Sequence, residues 1–395
     1  MPRLRTIYQT DLLYVGPTGQ NPATGALQGG AQWGNISGSI ASGTSYISEL
    51  YRIQKVDDGF SRKLKVLSEF GQLGVVDLVP IEPPDVTLSI SYVLANLANE
   101  NLMGLNVNKA GDTVPVPCLS GILLGELPSS TATKNYFLKT TSEGSDAINT
   151  NPNDYDVISF GNAFIASYSS QGRVLDFPTV DVSLVALNMQ AQHVWQQNTG
   201  GYAITPAVYP GSGTYITGWG YILPTGTTSF NSAGLANVSG LSVLRPGDMF
   251  LNLGLNPGDG FFAPQDIKIQ SYNLSFNLQL EDLTQLGSKY YYAKLPRFPV
   301  EATLTIDALA GDIQSGTLVE ITNNNLTFNP SITINQPGTS NPVVFYQLAG
   351  AKIDSENSSM SIGSNKTVNI QFRSTIGGPN DTVHNVFMSG ICANI

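Results

Sequence analysis

The chain has 395 residues, enough for two or three domains with separate cores. Only 12% of them are charged, against roughly 25% in an ordinary soluble domain; either other subunits cover much of the exterior or the loops are polar but uncharged. A formal net charge of −10 and a pI near 4.6 exclude a phosphate-gripping surface of the counterion-releasing kind.

Arg3 and Arg5 give the start a little positive charge, but Gln9, Thr10 and Asp11 interrupt the apolar residues around them, so no secretory apolar core is expected. There is no run of about 18 apolar residues, hence no expected membrane-spanning helix and no membrane partner. The only cysteines are Cys118 and Cys392. They exclude a disulfide-stapled scaffold; two reduced, buried thiols in a protein made in a cytosol are expected, a single long-range disulfide being the alternative.

In chain order, a strand is expected over 7–15, closed by Gly16-Pro17-Thr18-Gly19. A long glycine- and serine-rich loop covers 16–45 with Trp33 as its one large anchor, an arm onto a neighbour in an assembling protein or a lid in a monomer. Strand patterns run from Tyr51 through Phe60 to Val66, then a short turn or helical cap over 67–74 and a strand over 75–79. Val86, Leu88, Ile90 and Tyr92 alternate with Thr87, Ser89 and Ser91, the mark of a strand packed on one face. Val93, Leu94, Leu97 and Leu102 recur at helical spacing, so a helix is expected over 93–103, stopped by Gly104. More strands are expected over 119–124, 135–139, 157–168 and 180–187. Residues 190–245, rich in glycine and aromatics (Trp195, Tyr202, Tyr209, Tyr215, Trp219, Tyr221), read as inserted hairpins. Beyond them the chain restarts at 248–253, echoing 11–14, with a short helix over 307–314 and strands over 318–322, 332–334, 343–353, 367–372 and 383–391.

Much of the second half repeats the first. A shift of 216 positions lays Ile53-Gln54 on Ile269-Gln270, Phe60 on Phe276, Leu64 on Leu280, Gly71 on Gly287, Pro80 on Pro296 and Pro83 on Pro299 without a gap. A shift of 188 lays Ala163, Ile165, Ser167, Thr179 and Val180 on Ala351, Ile353, Ser355, Thr367 and Val368. Two blocks in one order imply a duplicated structural unit whose loops differ in length. The expected fold is mainly β: two duplicated antiparallel β-sandwich units, each with a flanking helix, over 1–190 and 246–395, with a β-rich insertion over 191–245.

Chemistry is sparse. His193 and His384 fall at non-equivalent places in the halves, and Gly34-Asn35-Ile36-Ser37-Gly38 is misspaced for a nucleophile elbow. Asn149, Asn151, Asn153, Asp154 and Asp156 place oxygens at alternate positions, but a calcium loop would need a central glycine and a glutamate where Phe160 stands; a polar turn is expected instead. Gly211-Ser212-Gly213 lacks the lysine of a phosphate cradle. Asp57, Asp58 and Glu69 could form a carboxylate pair, yet 216 positions on they become Asn273, Leu274 and Gln285, so the repeat does not need them. The aromatics of 195–221 suit either hairpin packing or stacking on sugar rings. No catalytic, cofactor-binding or metal-ligating residue is assigned.

The run from Leu50 to Leu105, with Lys134-Asn135-Tyr136-Phe137 and Gly161-Asn162-Ala163-Phe164-Ile165, resembles the tail tube and tube-like structural proteins of tailed bacteriophages over 46–190, and more weakly beyond. The resemblance implies a β-sandwich with a flanking helix, inner strands lining a channel and a long loop contacting the next ring, with no catalytic residues to carry over. It implies a virion tail protein, made in the host cytoplasm, whose partners are its own copies, other tail proteins and genomic DNA passing through without tight binding. Single tube units close as hexameric rings in that family. Two units per chain would close the ring with three chains, giving pseudo-sixfold symmetry. Carboxylates on the channel wall would repel DNA within a Debye length of about 8 Å. A distal-tail, baseplate or capsid-associated ring protein of the same fold and a carbohydrate-binding adhesin are the alternatives; an enzyme has least support.

Overall fold

The computed structural model describes residues 11–17, 48–109, 116–123, 133–141, 154–195, 244–254, 267–284, 286, 291, 293–310, 327–360, 365–378 and 381–390. The first half contributes β1 Asp11–Pro17, β2 Ser48–Glu49, β3 Ile53–Ser61, β4 Leu64–Ser68, β5 Val75–Pro80, β6 Asp85–Val93, α1 Ala98–Met103, β7 Asn108–Lys109, α2 Ser120–Leu123, β8 Lys134–Thr141, β9 Asp154–Arg173, β10 Thr179–Ala186 and β11 Asn188–Trp195. The second contributes a 3-10 turn at Pro246–Asp248, then β12 Met249–Asn252, β13 Ile267–Asn277, β14 Leu280–Leu283, β15 Ala293–Pro296, β16 Val300–Ala310, β17 Ser331–Asn335, β18 Pro342–Ala349, β19 Lys352–Ser359, β20 Thr367–Ile376 and β21 Asn385–Gly390. The chain is mainly β, as its alternating patterns predict.

One sheet runs in the order β3-β6-β10-β9-β13-β16-β20-β19, each neighbour antiparallel to the next. The long strand β9 belongs to two layers: its first part pairs with β8 and β11, its last with β10 and β13. A five-stranded sheet, β12-β17-β18-β21-β7, shares one apolar core with the long sheet. There Phe328 meets Phe372 edge-on at 6.2 Å, and the hydroxyls of Tyr346 and Tyr168 lie 2.9 Å apart.

Strand alternation decides which face is covered. Val86, Leu88, Ile90 and Tyr92 of β6 are buried between more open neighbours, as are Val180, Val182, Leu184 and Ala186 of β10. Each such large apolar side chain contributes roughly 1.5–3 kcal/mol relative to exposure. The polar rows face the other way and form a lattice across strands. Gln171 Nε2 donates to Asp181, Ser169 Oγ to Asn273, Ser271 Oγ and Asn369 Nδ2 to Asp307, and Ser275 and Thr303 hydroxyls pair at 3.0 Å.

The ladders of the two halves correspond residue for residue. Ile53 pairs with Tyr92 and Lys55 with Ser91 across a bulge at Gln54; 216 positions on, Ile269 pairs with Ala308 and Ser271 with Asp307 across a bulge at Gln270. Both glutamines donate Nε2 to carbonyls just before them, of Arg52 and Ile53 or Lys268 and Ile269. The β9–β10 ladder skips Ala166 and the β19–β20 ladder skips Asp354, 188 positions on. Hairpin β4–β5 pairs Leu64 with Pro80; hairpin β14–β15 pairs Leu280 with Pro296.

The layers are joined the same way. Asn162 bends β9 with φ 52, and its N–H is capped by Asn135 Oδ1 at 3.0 Å. Gly350, between β18 and β19, has φ 62 and donates to Asn329 Oδ1 at 2.9 Å. Asn tolerates the left-handed region; at 350 only glycine serves, because a Cβ would stand 2.6 Å from the Val383 carbonyl oxygen.

Several expectations need correction. The helix is α1, Ala98–Met103: Val93 is still laddered to Thr179, and Leu94 N–H goes to the Pro178 carbonyl rather than into a helix. The strand expected over 119–124 begins as the short helix α2, since Cys118 N–H is taken by Val386 and Ile122 N–H by Leu119. In the second half strand β16 runs on to Ala310 where a helix was expected from 307, held by the β20 ladder as far as Leu309; 311–314 lie outside the described residues. The strand expected over 343–353 is two, β18 and β19, broken at Gly350. Asp154 and Asp156 belong to β9 rather than to a turn. The loop positions 18–45, the strand over 318–322, Asn149, Asn151, Asn153, Tyr202 to Tyr221 and Cys392 lie outside the described residues. Cys118 is buried, and burial pushes its thiol pKa up, so it is an inert core residue.

Candidate functional site: open sheet edges and a bare hairpin

Among the described strands, β3 and β19 end the long sheet and pair on one side only. Their counterparts inside the sheet, β13 and β9, pair with each other through Tyr272 and Gly172, Leu274 and Ser170, and Phe276 and Tyr168. There the rings of Phe276 and Tyr168 stack at 5.2 Å. Gly172 is required by this approach, since a Cβ would lie 2.5 Å from Tyr272. Leu278 N–H extends the junction by donating to the Ala166 carbonyl at 2.7 Å. Phe276 is 2% exposed in that junction, whereas Phe60, its counterpart on the open edge, is 64% exposed.

The hairpins show the same contrast. β14–β15 lies against the first half: Tyr291 packs with Phe164, Leu187 and Leu280, and its hydroxyl donates to Asp85. Lys294 is buried beneath it, paired with Asp282 and 3.8 Å from Asp85, its ammonium 4.1 Å from the Tyr291 ring centre. Burial, with Asp85 beside it, raises the Tyr291 phenol pKa. Hairpin β4–β5 is exposed along its whole length, with Leu64, Val66, Leu67, Phe70, Leu73, Val75, Val76, Leu78 and Val79 open to solvent. A monomer rarely leaves so much apolar surface uncovered without a binding role. A groove of about 840 Å³ lies at its base, between Phe60 and Arg62, the run from Val79 to Pro84, and Asn188, Met189 and Ala191 of β11.

The sequence-derived carboxylates do not converge. Asp57 is bridged to Lys55 on the open face of β3; Asp58 stands opposite Leu88 on the core-facing side, where burial and then Asp57 raise its pKa; Glu69 sits in the hairpin turn. His193 lies on β11, opposite Asp156, and His384 is 3.7 Å from Asp381 in a turn closed by Asp381 accepting from Val383 and His384 N–H groups. Among the described residues no cluster of histidine, cysteine and carboxylate has metal-binding geometry. No described helix is long and apolar enough to cross a membrane.

Glu100, which belongs to no sequence motif, is fully buried on α1. Its Oε1 accepts from Tyr92 at 2.6 Å and Tyr168 at 3.1 Å, and burial pushes its pKa up to about 7. Asn99 beside it clamps Tyr51 through both backbone groups and so aims the chain into β3. The signal was a lone acid between Leu97 and Leu105 in a stretch otherwise uncharged.

No protein-family model matches the chain, and no curated protein matches it. Solved structures are similar over about a third of it. One is the tail of an empty GTA particle, 14% identical with a TM-score of 0.23, covering 34% of this chain and 95% of that one. Another is the 6-fold symmetrised baseplate of the anti-feeding prophage, 16% identical, TM-score 0.23, covering 36% and 91%. Hcp1 from Flavobacterium johnsoniae is 14% identical, TM-score 0.17, covering 28% and 94%. Likenesses of this degree carry nothing about partners or activity.

Proposed function

We propose that the chain is a structural protein of a phage-type tail tube, acting by assembly rather than catalysis. Three copies close into a pseudo-sixfold ring, and rings stack around a channel through which DNA passes. The strand order supports this reading: the sheet is two four-strand runs, β3-β6-β10-β9 and β13-β16-β20-β19, spliced end to start, leaving one edge of each kind unpaired among the described strands. Such an interface is heterologous, so copies added through it either close a ring or run on as a filament. The proposed division is a first unit over 1–190, an insertion over 191–245 and a second unit over 246–395, the units being copies of one ancestral sandwich.

The polar face of the long sheet is the proposed channel wall. Its carboxylates are met by donors: Asp57 by Lys55, Glu301 and Asp354 by Arg373, Asp181 and Asp307 by amides and a hydroxyl. A wall of hydroxyls, amides and compensated charge gives DNA little to grip, which suits passage without tight binding. Electron microscopy of the purified full chain at high concentration tests the proposal. Threefold rings or tubes support it, single rings that never stack favour a distal-tail or baseplate role for the same fold, and monomers alone refute it.

A further inference from the structure

We infer that the β9–β13 junction inside the chain is the template for the contact between chains: β19 of one copy pairs antiparallel with β3 of the next, in the register that the internal ladder sets. This rests on the proposed ring and names the interface that the ring needs. β3 corresponds to β13 by 216 positions and β19 to β9 by 188, each supported by a shared bulge. Carried across, Asn273 opposite Gln171 becomes Asp57 opposite Ser359, Leu274 opposite Ser170 becomes Asp58 opposite Ser358, and Phe276 opposite Tyr168 becomes Phe60 opposite Glu356.

The chemistry of the open edges agrees with that register. Tyr272 needs Gly172 opposite it; at the corresponding places the smaller Val56 faces the larger Met360, which is 75% exposed and awaiting cover. Ser169 Oγ donates to Asn273 Oδ1 in the internal junction, and Asn357 stands where its amide can donate to the Asp57 carboxylate. Leu278 N–H donates to the Ala166 carbonyl; the corresponding pair is Arg62 and Asp354, of opposite charge. In this register no carboxylate of β3 stands directly opposite a carboxylate of β19, a pairing that would be unfavourable. The hairpins obey the same rule: β14–β15 lies on the half that precedes it, and β4–β5 lies on the second half of the adjoining copy.

The test is disulfide trapping in full-length protein carrying Cys118→Ala and Cys392→Ser. Asp57→Cys with Ser359→Cys should give intermolecular disulfides on mild oxidation, ending at a covalent trimer, at a yield at least about tenfold above Asp57→Cys with Ser358→Cys, whose Cβ vectors point to opposite faces. Asn273→Cys with Gln171→Cys calibrates the geometry, since it should close within one chain at the corresponding rungs. All five replaced edge and junction positions, Asp57, Gln171, Asn273, Ser358 and Ser359, are exposed, so folding should survive. Rings by electron microscopy without the 57–359 disulfide overturn the register while leaving the ring; a disulfide in Asp57→Cys alone shows like edges pairing and overturns head-to-tail order. Absence of any assembly defeats the ring and this inference together.

Discussion

Replacing Glu100 by glutamine removes a titration that couples core stability to pH near neutrality. In the native chain the carboxyl is fully buried, accepts from Tyr92 and Tyr168, and has its pKa raised from 4.5 to about 7 by burial. A carboxyl held above its unfolded pKa binds a proton in the folded state where the unfolded chain does not. Its contribution is therefore fully present below about pH 4.5 and is lost as pH rises through about 7, a loss of about 3 kcal/mol. Glutamine keeps an acceptor for Tyr92 and cannot ionise. Its absolute effect depends on the new amide hydrogens, but its pH dependence does not. Urea unfolding of both proteins at one concentration, from about pH 4 to about pH 8, gives the difference in unfolding free energy and cancels the other titrating groups. The native protein should lose about 3 kcal/mol relative to Glu100→Gln across that range. Parallel curves would show that Glu100 ionises freely and that the buried tyrosine cluster is not linked to a proton.

Two further outcomes test the edge architecture. Gly350→Ala forces a Cβ to within 2.6 Å of the Val383 oxygen at φ 62 and should lower unfolding free energy by about 1–3 kcal/mol, whereas Asn162→Gly at the corresponding bend should shift it by only a few tenths of a kcal/mol; denaturant midpoints compare the two. Phe70→Ser with Leu73→Ser, at residues open to solvent in the free chain, should leave monomer stability within about 0.5 kcal/mol yet raise the concentration needed for assembly about tenfold, read by sedimentation velocity.

How much of the fold is legible in the sequence depends on how local each signal is. β6, β10 and β20 are readable because alternation reports a strand covered on one face, and the shifts of 216 and 188 positions survive as paired ladders because prolines and bulges fix register. The helix boundary at 93 is misread because the deciding hydrogen bonds are distant: Val93 to the β10 ladder and Leu94 to Pro178 outweigh a locally helical spacing of leucines. Glu100 stands out locally only as a lone acid, and its role is hidden for the same reason, as Tyr168 and Tyr346, which complete its cluster, come from strands far along the chain. The edge-to-edge splice of the halves lies in no single segment; it appears only when the β9–β13 ladder is seen beside β3 and β19, which end the sheet among the described strands.

An edge that waits for a partner must resist the wrong ones. Asp58 faces the core side of β3, where the corresponding residue of the paired strand is Leu274, at 1% exposure. An inward-pointing charge on an open edge discourages indiscriminate strand addition, because any neighbour lacking a donor there must desolvate a bare carboxylate. In the transferred register the residue opposite is Ser358, whose hydroxyl can donate, so the charge admits one register and disfavours others. If the proposed ring forms through these edges, Asp58→Leu should bind strands with less discrimination, giving irregular aggregates by light scattering and electron microscopy at concentrations where the native chain is expected to give rings. If Asp58→Leu gives the same rings at the same concentration, the charge selects nothing, and register is set by the bulges and side-chain sizes alone.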